Sequence, residues 1–176
     1  MDGTGKVGLI FVAGGARSGK SSFAELLASR APGKKLYIAT ARPLDPEMAE
    51  RIDAHRARRG ALWETVEAPD DPAGALRDAG GYGAVLIDCL TLWLSNRMEA
   101  GLSDGDLLGE ARALARAARE CRALVVAVSN EVGLGIVPDN PLARRFRDLA
   151  GLVNQAFAAE ADEAYLTASG IPLRLK

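Results

Sequence analysis

Short runs of consecutive apolar residues alternate along this chain with stretches in which apolar positions recur every three or four residues. An unbroken short run bounded by turn formers is the signature of a strand buried on both faces. The three-to-four recurrence is that of a helix with one buried side. On that basis Val7–Ala13, Leu36–Thr40, Ala84–Asp88 and Ala123–Val128 are predicted strands. The helix after the first places Phe23, Leu26 and Leu27 on one face and stops at Pro32 and Gly33. Asp45 as N-cap, Pro46 in the first turn and Glu47 near the positive helix end predict a second helix running to about Arg59, closed by Gly60. Residues 61–83 form a loose, Pro- and Gly-marked region. Ser103 caps a helix carrying Leu107, Leu108, Ala111, Leu114 and Ala118 inward, with Arg112, Arg116 and Arg119 on its solvated face. Asn140 and Pro141 start another helix, with Leu142, Phe146, Leu149, Val153 and Phe157 as its packing stripe. Glu163–Ala168 and Ile171–Leu175 read as strands joined at Ser169 and Gly170. The alternation predicts an α/β fold, with a mostly parallel sheet and an antiparallel C-terminal edge.

Composition narrows the setting more than the chemistry. A chain of 176 residues without repeats or low-complexity linkers is expected to form one domain. With 22 basic against 23 acidic side chains, the net charge of −1 gives no case for nucleic acid or an anionic membrane as partner. No run approaches the roughly 20 apolar residues of a membrane span. Val7–Ala13 is too short for a secretory leader. Cys89 and Cys121 lie inside apolar segments, away from any metal-ligand spacing, and are expected to be buried reduced thiols. These points suggest a soluble, cytoplasmic protein.

The chemistry begins at residues 14 to 21, where GGARSGKS satisfies G-x-x-x-x-G-K-[ST]. The match falls between a predicted strand and an amphipathic helix, where successive backbone N–H groups and a helix N-terminus converge on one anion. Gly14, Gly15, Ala16, Arg17, Ser18 and Gly19 form the expected cradle, and the glycines allow close approach of the backbone. Lys20 supplies a point charge to the β and γ phosphates, and the Ser21 hydroxyl is placed to ligate Mg²⁺. The predicted class is therefore a P-loop NTPase of the RecA-like kind. Asp88, closing the run Val85-Leu86-Ile87, is the candidate carboxylate partner for the metal; the alternative is a cap on the next helix through Thr91 or Leu92.

Several segments together resemble the bifunctional adenosylcobinamide kinase and adenosylcobinamide-phosphate guanylyltransferase family of cobalamin biosynthesis. They are GGARSGKS at 14 to 21, YIAT at 37 to 40, EMAERIDAHRARR at 47 to 59 and LIDCLTLWLSN at 86 to 96. SNEVGLGIVPDNPLARRFRDLAGLVNQ at 129 to 155 and the ending SGIPLRLK complete the match. The phosphate loop is widely shared; the histidine segment together with NEVGLGIVP is far more specific. The resemblance implies phosphorylation of the corrinoid's aminopropanol hydroxyl by a nucleoside triphosphate, ATP or GTP. Transfer of GMP from GTP onto that phosphate follows, through a covalent histidine intermediate. It implies a trimer as well. The family's histidine falls on His55, the chain's single histidine. Some relatives have a second, adjacent histidine where this chain has Ala54, and some have Glu in place of Asp88.

From the residues alone, His55 shares a helical face with Met48 and Ile52 and reads as a partly packed surface side chain. The resemblance makes it the nucleophile toward the α-phosphorus, a role for which a neutral imidazole is competent near neutral pH. Arg51, Arg56, Arg58 and Arg59 then lie within about one turn of it, able to meet charge on the phosphate oxygens. By the same carry-over Ala39, Thr40 and Ala41, the segment Arg56, Ala57, Arg58 and Arg59, and Glu67 should touch GTP. Glu67 either accepts from the guanine N1 and N2 donors or is an ordinary exposed strand residue. Gly133 and Gly135 would let the loop Asn130–Asn140 move over a corrinoid, and Arg144, Arg145 and Arg147 suit either substrate phosphate or subunit contacts. Two other readings fit the phosphate loop without the histidine: a monofunctional small-molecule kinase, and a nucleotide-binding switch or assembly module.

Overall fold

The computed structural model describes residues 8–42 and 60–176. The predicted helix of residues 46–59, with its Asp45 cap, lies outside them, as does the start of the first predicted strand at Val7. In chain order the elements are β1 (Leu9–Gly14), α1 (Lys20–Ser29), β2 (Lys35–Ala39), β3 (Trp63–Glu67), α2 (Pro72–Arg77) and β4 (Ala84–Asp88). They continue with α3 (Leu90–Glu99), α4 (Asp104–Glu120), β5 (Leu124–Asn130), α5 (Pro141–Glu160), β6 (Glu163–Ala168) and β7 (Ile171–Arg174).

The strands form one seven-stranded sheet in the order β3-β2-β4-β5-β1-β6-β7. Only the β6–β7 pair is antiparallel. The expected architecture, a mostly parallel sheet with an antiparallel C-terminal edge, is therefore found. Ser169 (φ 52°) and Gly170 (φ 81°) make the two-residue turn of that hairpin, both in the left-handed region that such turns require.

Strand alternation divides the core. In β4, Val85 and Ile87 join a cluster with Phe11, Trp93, Leu114 and Phe157 under α3, α4 and α5. Ala84 and Leu86 face the other way, packing with Val12, Val126 and Val128 against Ala24, Leu27 and Ala28 of α1. Both faces of the central strands are thus covered, which explains their unbroken apolar runs. Phe157 is fully buried and stacks at a tilt on Phe11, ring centroids 6.3 Å apart.

Three details depart from expectation. Leu26 is 53% exposed, and the inward face of α1 is made instead by Ala24, Leu27 and Ala28. Leu142 is 63% exposed, so the packing stripe of α5 begins one turn later. The region between Gly60 and Gly83 carries the edge strand β3 and the short helix α2, which Asp71 caps by accepting from the Gly74 N–H. An edge strand half open to solvent offers no apolar run, and a six-residue helix offers barely two turns of periodicity. Among the described residues, no helix is long and apolar enough to cross a membrane.

Candidate active site at the carboxyl edge of the sheet

β1 ends at Gly14, and the chain turns through residues 15–19 into α1. Gly19 occupies the N-cap of α1 at φ 91°, a conformation strained for any side chain, and its carbonyl accepts from the Phe23 N–H at 3.0 Å. No side chain caps this helix and no acidic residue sits in its first turn, so the positive end of its dipole is left for an external anion. Arg17 adopts φ 55° at the loop apex, and the Ser18 N–H closes back on the Gly15 carbonyl at 3.3 Å. Lys20, only 9% exposed, donates from Nζ to the same carbonyl at 3.2 Å, which holds its ammonium across the loop. Ser21 follows in the first turn, half-buried. All eight motif residues thus surround one turn, as anion binding by backbone and ammonium requires.

β5 lies between β1 and β4, with Gly14 paired to Asn130 and Val128 to Asp88. Two inter-strand spacings, roughly 10 Å, therefore separate the phosphate loop from the carboxylate. Asp88 is partly exposed at the strand's carboxyl end, and its Oδ2 accepts from the Tyr37 hydroxyl at 2.7 Å. Its backbone carbonyl accepts from Thr40 N–H at 3.1 Å, and the Asp88–Cys89 peptide bond is cis. Among the described residues no group of three His, Cys, Asp or Glu side chains is arranged to hold a metal ion. One hydroxyl and one carboxylate suit Mg²⁺ that takes its remaining ligands from phosphate and water, so Ser21 and Asp88 fit the ion expected with a triphosphate.

Farther along the same edge, side chains rather than glycines fix the backbone. The Thr40 hydroxyl donates to Cys89 O (2.8 Å) and accepts from Cys89 N–H (2.7 Å). Asn96 on α3 donates from Nδ2 to Thr40 O (2.9 Å) and to Pro69 O (3.0 Å), tying the exits of β2 and β3 together. Arg42, the last described residue before position 43, meets both oxygens of Asp70 at 2.7 Å. Thr40 is fully buried, whereas Ala41 is half-exposed. Ala39 is 8% exposed and pairs with Glu67, which ends edge strand β3 in an exposed position. Glu67 stands four strands from the phosphate loop, roughly 19 Å along the rim. His55 and residues 56–59 lie outside the described residues.

Cys89 and Cys121 are both free; Cys89 is buried as expected, whereas Cys121 is partly exposed. Burial, with the Asp88 charge adding to it, pushes the Cys89 thiol above its ordinary pKa, so it stays protonated and shares a 2.8 Å contact with Thr91 Oγ1. Asn130 Nδ2 reaches that hydroxyl at 3.0 Å, while Asn154 accepts from Ser129 (2.6 Å) and donates to Asn130 O (3.3 Å). Sequence reasoning missed Tyr37, Asn96, Asn130 and Thr167 as groups that hold the site. A signal existed for Asn96: it recurs with Leu90, Trp93 and Leu94 on the buried face of α3, where a polar side chain needs a partner.

The fold is similar to that of ATPases of type III secretion systems: a prototypical ATPase of pathogenic bacteria, at TM-score 0.55 and 14% identity, and the assembled EscN ATPase of enteropathogenic E. coli, at 0.54 and 12%. The alignments cover 90% and 93% of this chain but only 50% and 43% of those, so they bear on the fold alone. The bifunctional adenosylcobalamin biosynthesis protein CobU of Salmonella typhimurium is 42% identical over 96% of this chain and 99% of its own. CobP of Pseudomonas aeruginosa, described in the same words, is 45% identical over 94% and 95%. Residues 10–175 match the model of the cobinamide kinase / cobinamide phosphate guanyltransferase family, and the chain belongs to that family.

Proposed function

We propose that the chain carries out both reactions of its family, phosphorylating adenosylcobinamide with ATP or GTP and then transferring GMP from GTP to the phosphate just made. The observation that carries this reading is the turn Gly14–Ser21, where Lys20 and an uncapped helix start converge beside the sheet rim. In the kinase step the corrinoid hydroxyl attacks the γ-phosphorus, the bond to the β-phosphate oxygen breaks, and Lys20 meets the charge on the departing diphosphate. Ser21 and Asp88 would hold Mg²⁺, which supplies charge neutralisation across the phosphates. Tyr37, donating to Asp88, fixes the direction of that carboxylate.

In the second reaction a nitrogen of His55 attacks the α-phosphorus of GTP. A P–N bond forms as pyrophosphate leaves, and an oxygen of the corrinoid phosphate then displaces the imidazole. Arg51, Arg56, Arg58 and Arg59 neutralise the phosphate oxygens, and Glu67 receives the guanine N1 and N2 hydrogens at the far end of the rim. The exposed loop after β5, with Leu134 83% and Ile136 97% exposed, presents an apolar surface for the corrinoid face. A cytoplasmic setting suits the two free thiols. Incubation with GTP labelled at the α-phosphorus should leave acid-labile, base-stable GMP on the wild-type chain and none on His55→Ala. Equal labelling of the two would overturn the guanylyltransferase half of this reading while leaving the kinase half standing.

A further inference from the structure

The glycines of the phosphate loop face an unexpected neighbour. A Cβ built on Gly14 would lie 2.3 Å from Thr167 Oγ1 and 2.5 Å from Ser18 Oγ, and one on Gly19 would lie 3.1 Å from the Cα of Gly170. Thr167 and Gly170 belong to the β6–β7 hairpin, 149 and more residues along the chain from the loop they touch. Thr167 is 2% exposed and Ser18 7% exposed, and their hydroxyls are 2.9 Å apart. The Thr167 hydroxyl has one proton, which it gives to Ala13 O at 3.2 Å, so Ser18 is the donor in the hydroxyl pair. The Gly170 N–H in turn donates to Ser18 O at 2.9 Å. Both polar ends of Ser18 are thereby tied to the hairpin, next to Arg17 in the left-handed region. A loop with that backbone needs outside support to hold its shape.

We propose that Thr167 is a positioning residue for triphosphate binding: its hydroxyl, bridging Ser18 Oγ and Ala13 O, pins the apex of the phosphate loop to the C-terminal hairpin. Ser18 then serves the phosphates through its backbone, its hydroxyl being spent on the hairpin. The shared loop makes the effect common to both reactions, and the inference rests on the phosphate-loop reading above.

The test uses the full chain and inorganic tripolyphosphate, titrated calorimetrically at a temperature where every variant is folded. Thr167→Val removes the hydroxyl at nearly constant shape and should weaken binding roughly 10- to 100-fold, the range expected when buried hydrogen bonds lose a partner. Thr167→Ser restores the hydroxyl and should bind within about threefold of wild type. The KM for the triphosphate should rise by the same factor in both reactions, with kcat little changed. Should Thr167→Val fail to fold, Ser18→Ala breaks the same bond from the loop side and should weaken binding several-fold. Where both fold, the double variant should bind no more weakly than Thr167→Val alone, since the two changes remove one interaction. Wild-type affinity in Thr167→Val or Ser18→Ala, or a Thr167→Ser variant as weak as valine, overturns the proposal. A wild-type chain that ignores tripolyphosphate overturns the phosphate-loop reading itself.

Discussion

The two ends of the sheet's carboxyl rim are built by opposite means. At the β1 end, every group assigned to the anion comes from eight consecutive residues, and only the outer support of the loop, through Ser18, comes from the distant β6–β7 hairpin. At the β2–β3 end the backbone is held by buried side chains far apart in sequence: Asn96 reaches Thr40 across 56 residues and Pro69 across 27, and Thr40 reaches Cys89 across 49. An anion can be gripped by N–H groups and a helix end, which a local turn provides. At the exits of β2 and β3, a clamp between separate elements, Asn96 on Thr40 O and Pro69 O, does the corresponding work.

Breaking the first end should have the largest consequence. Lys20→Met keeps the aliphatic stem that this nearly buried residue packs with and removes only the ammonium. Both transfers should slow by on the order of 10²–10³. The melting temperature should stay close to wild type, because the hydrogen bond lost is the single one to Gly15 O. A loss confined to one of the two reactions would show that they do not share the loop.

Breaking the second end should separate the reactions. Asn96→Ala deprives two backbone carbonyls of the donor they share and should cost about 2–3 kcal/mol of stability. Labelling of the chain by GTP labelled at the α-phosphorus should fall roughly tenfold, because the exits of β2 and β3 lose their tie, while tripolyphosphate affinity changes by less than about threefold. Rapid-quench labelling beside calorimetry distinguishes the two. Parallel losses in loading and in tripolyphosphate affinity would mean that the rim is one rigid unit and the contrast drawn above is false.

The same contrast explains what could be read in the residues. The sheet core, the helices α1, α4 and α5, the C-terminal hairpin and the whole phosphate loop follow from periodicity, caps and a contiguous motif, all local signals. β3 escaped because an exposed edge strand carries no apolar run, and Leu26 was misassigned because small residues took over the buried face of α1. Thr167 and Asn96 were invisible as site residues for another reason. Their partners are backbone atoms and a hydroxyl brought close only by strand order, which no spacing along the chain encodes. Asp88 was nameable as the end of an apolar run, yet the Tyr37 hydroxyl that orients it emerged only with the β2–β4 pairing.

The smallest effect sits at the joint between the two ends, in the thiol of Cys89. Burial first, and the neighbouring Asp88 charge second, raise its pKa above the ordinary 9.0, whereas Cys121 is partly exposed at the end of α4. Iodoacetamide at pH 8 should therefore modify Cys121 first and reach Cys89 only on unfolding. The sign of the pH effect follows from proton counting. As pH rises past 9 the unfolded chain releases this proton more readily than the folded chain, so the unfolded state binds fewer protons and stability falls as pH rises, by at most about 1.4 kcal/mol per pH unit. Cys89→Ser removes the titrating group, and denaturant melts of the two proteins at pH 8 and pH 10 should show the wild type losing more stability than the variant across that interval. Equal losses would mean that the thiol ionises as readily inside the fold as outside it. Water would then reach the Thr40–Cys89 contact, and the rigid backbone assigned to the β2–β3 end of the rim would have to be given up.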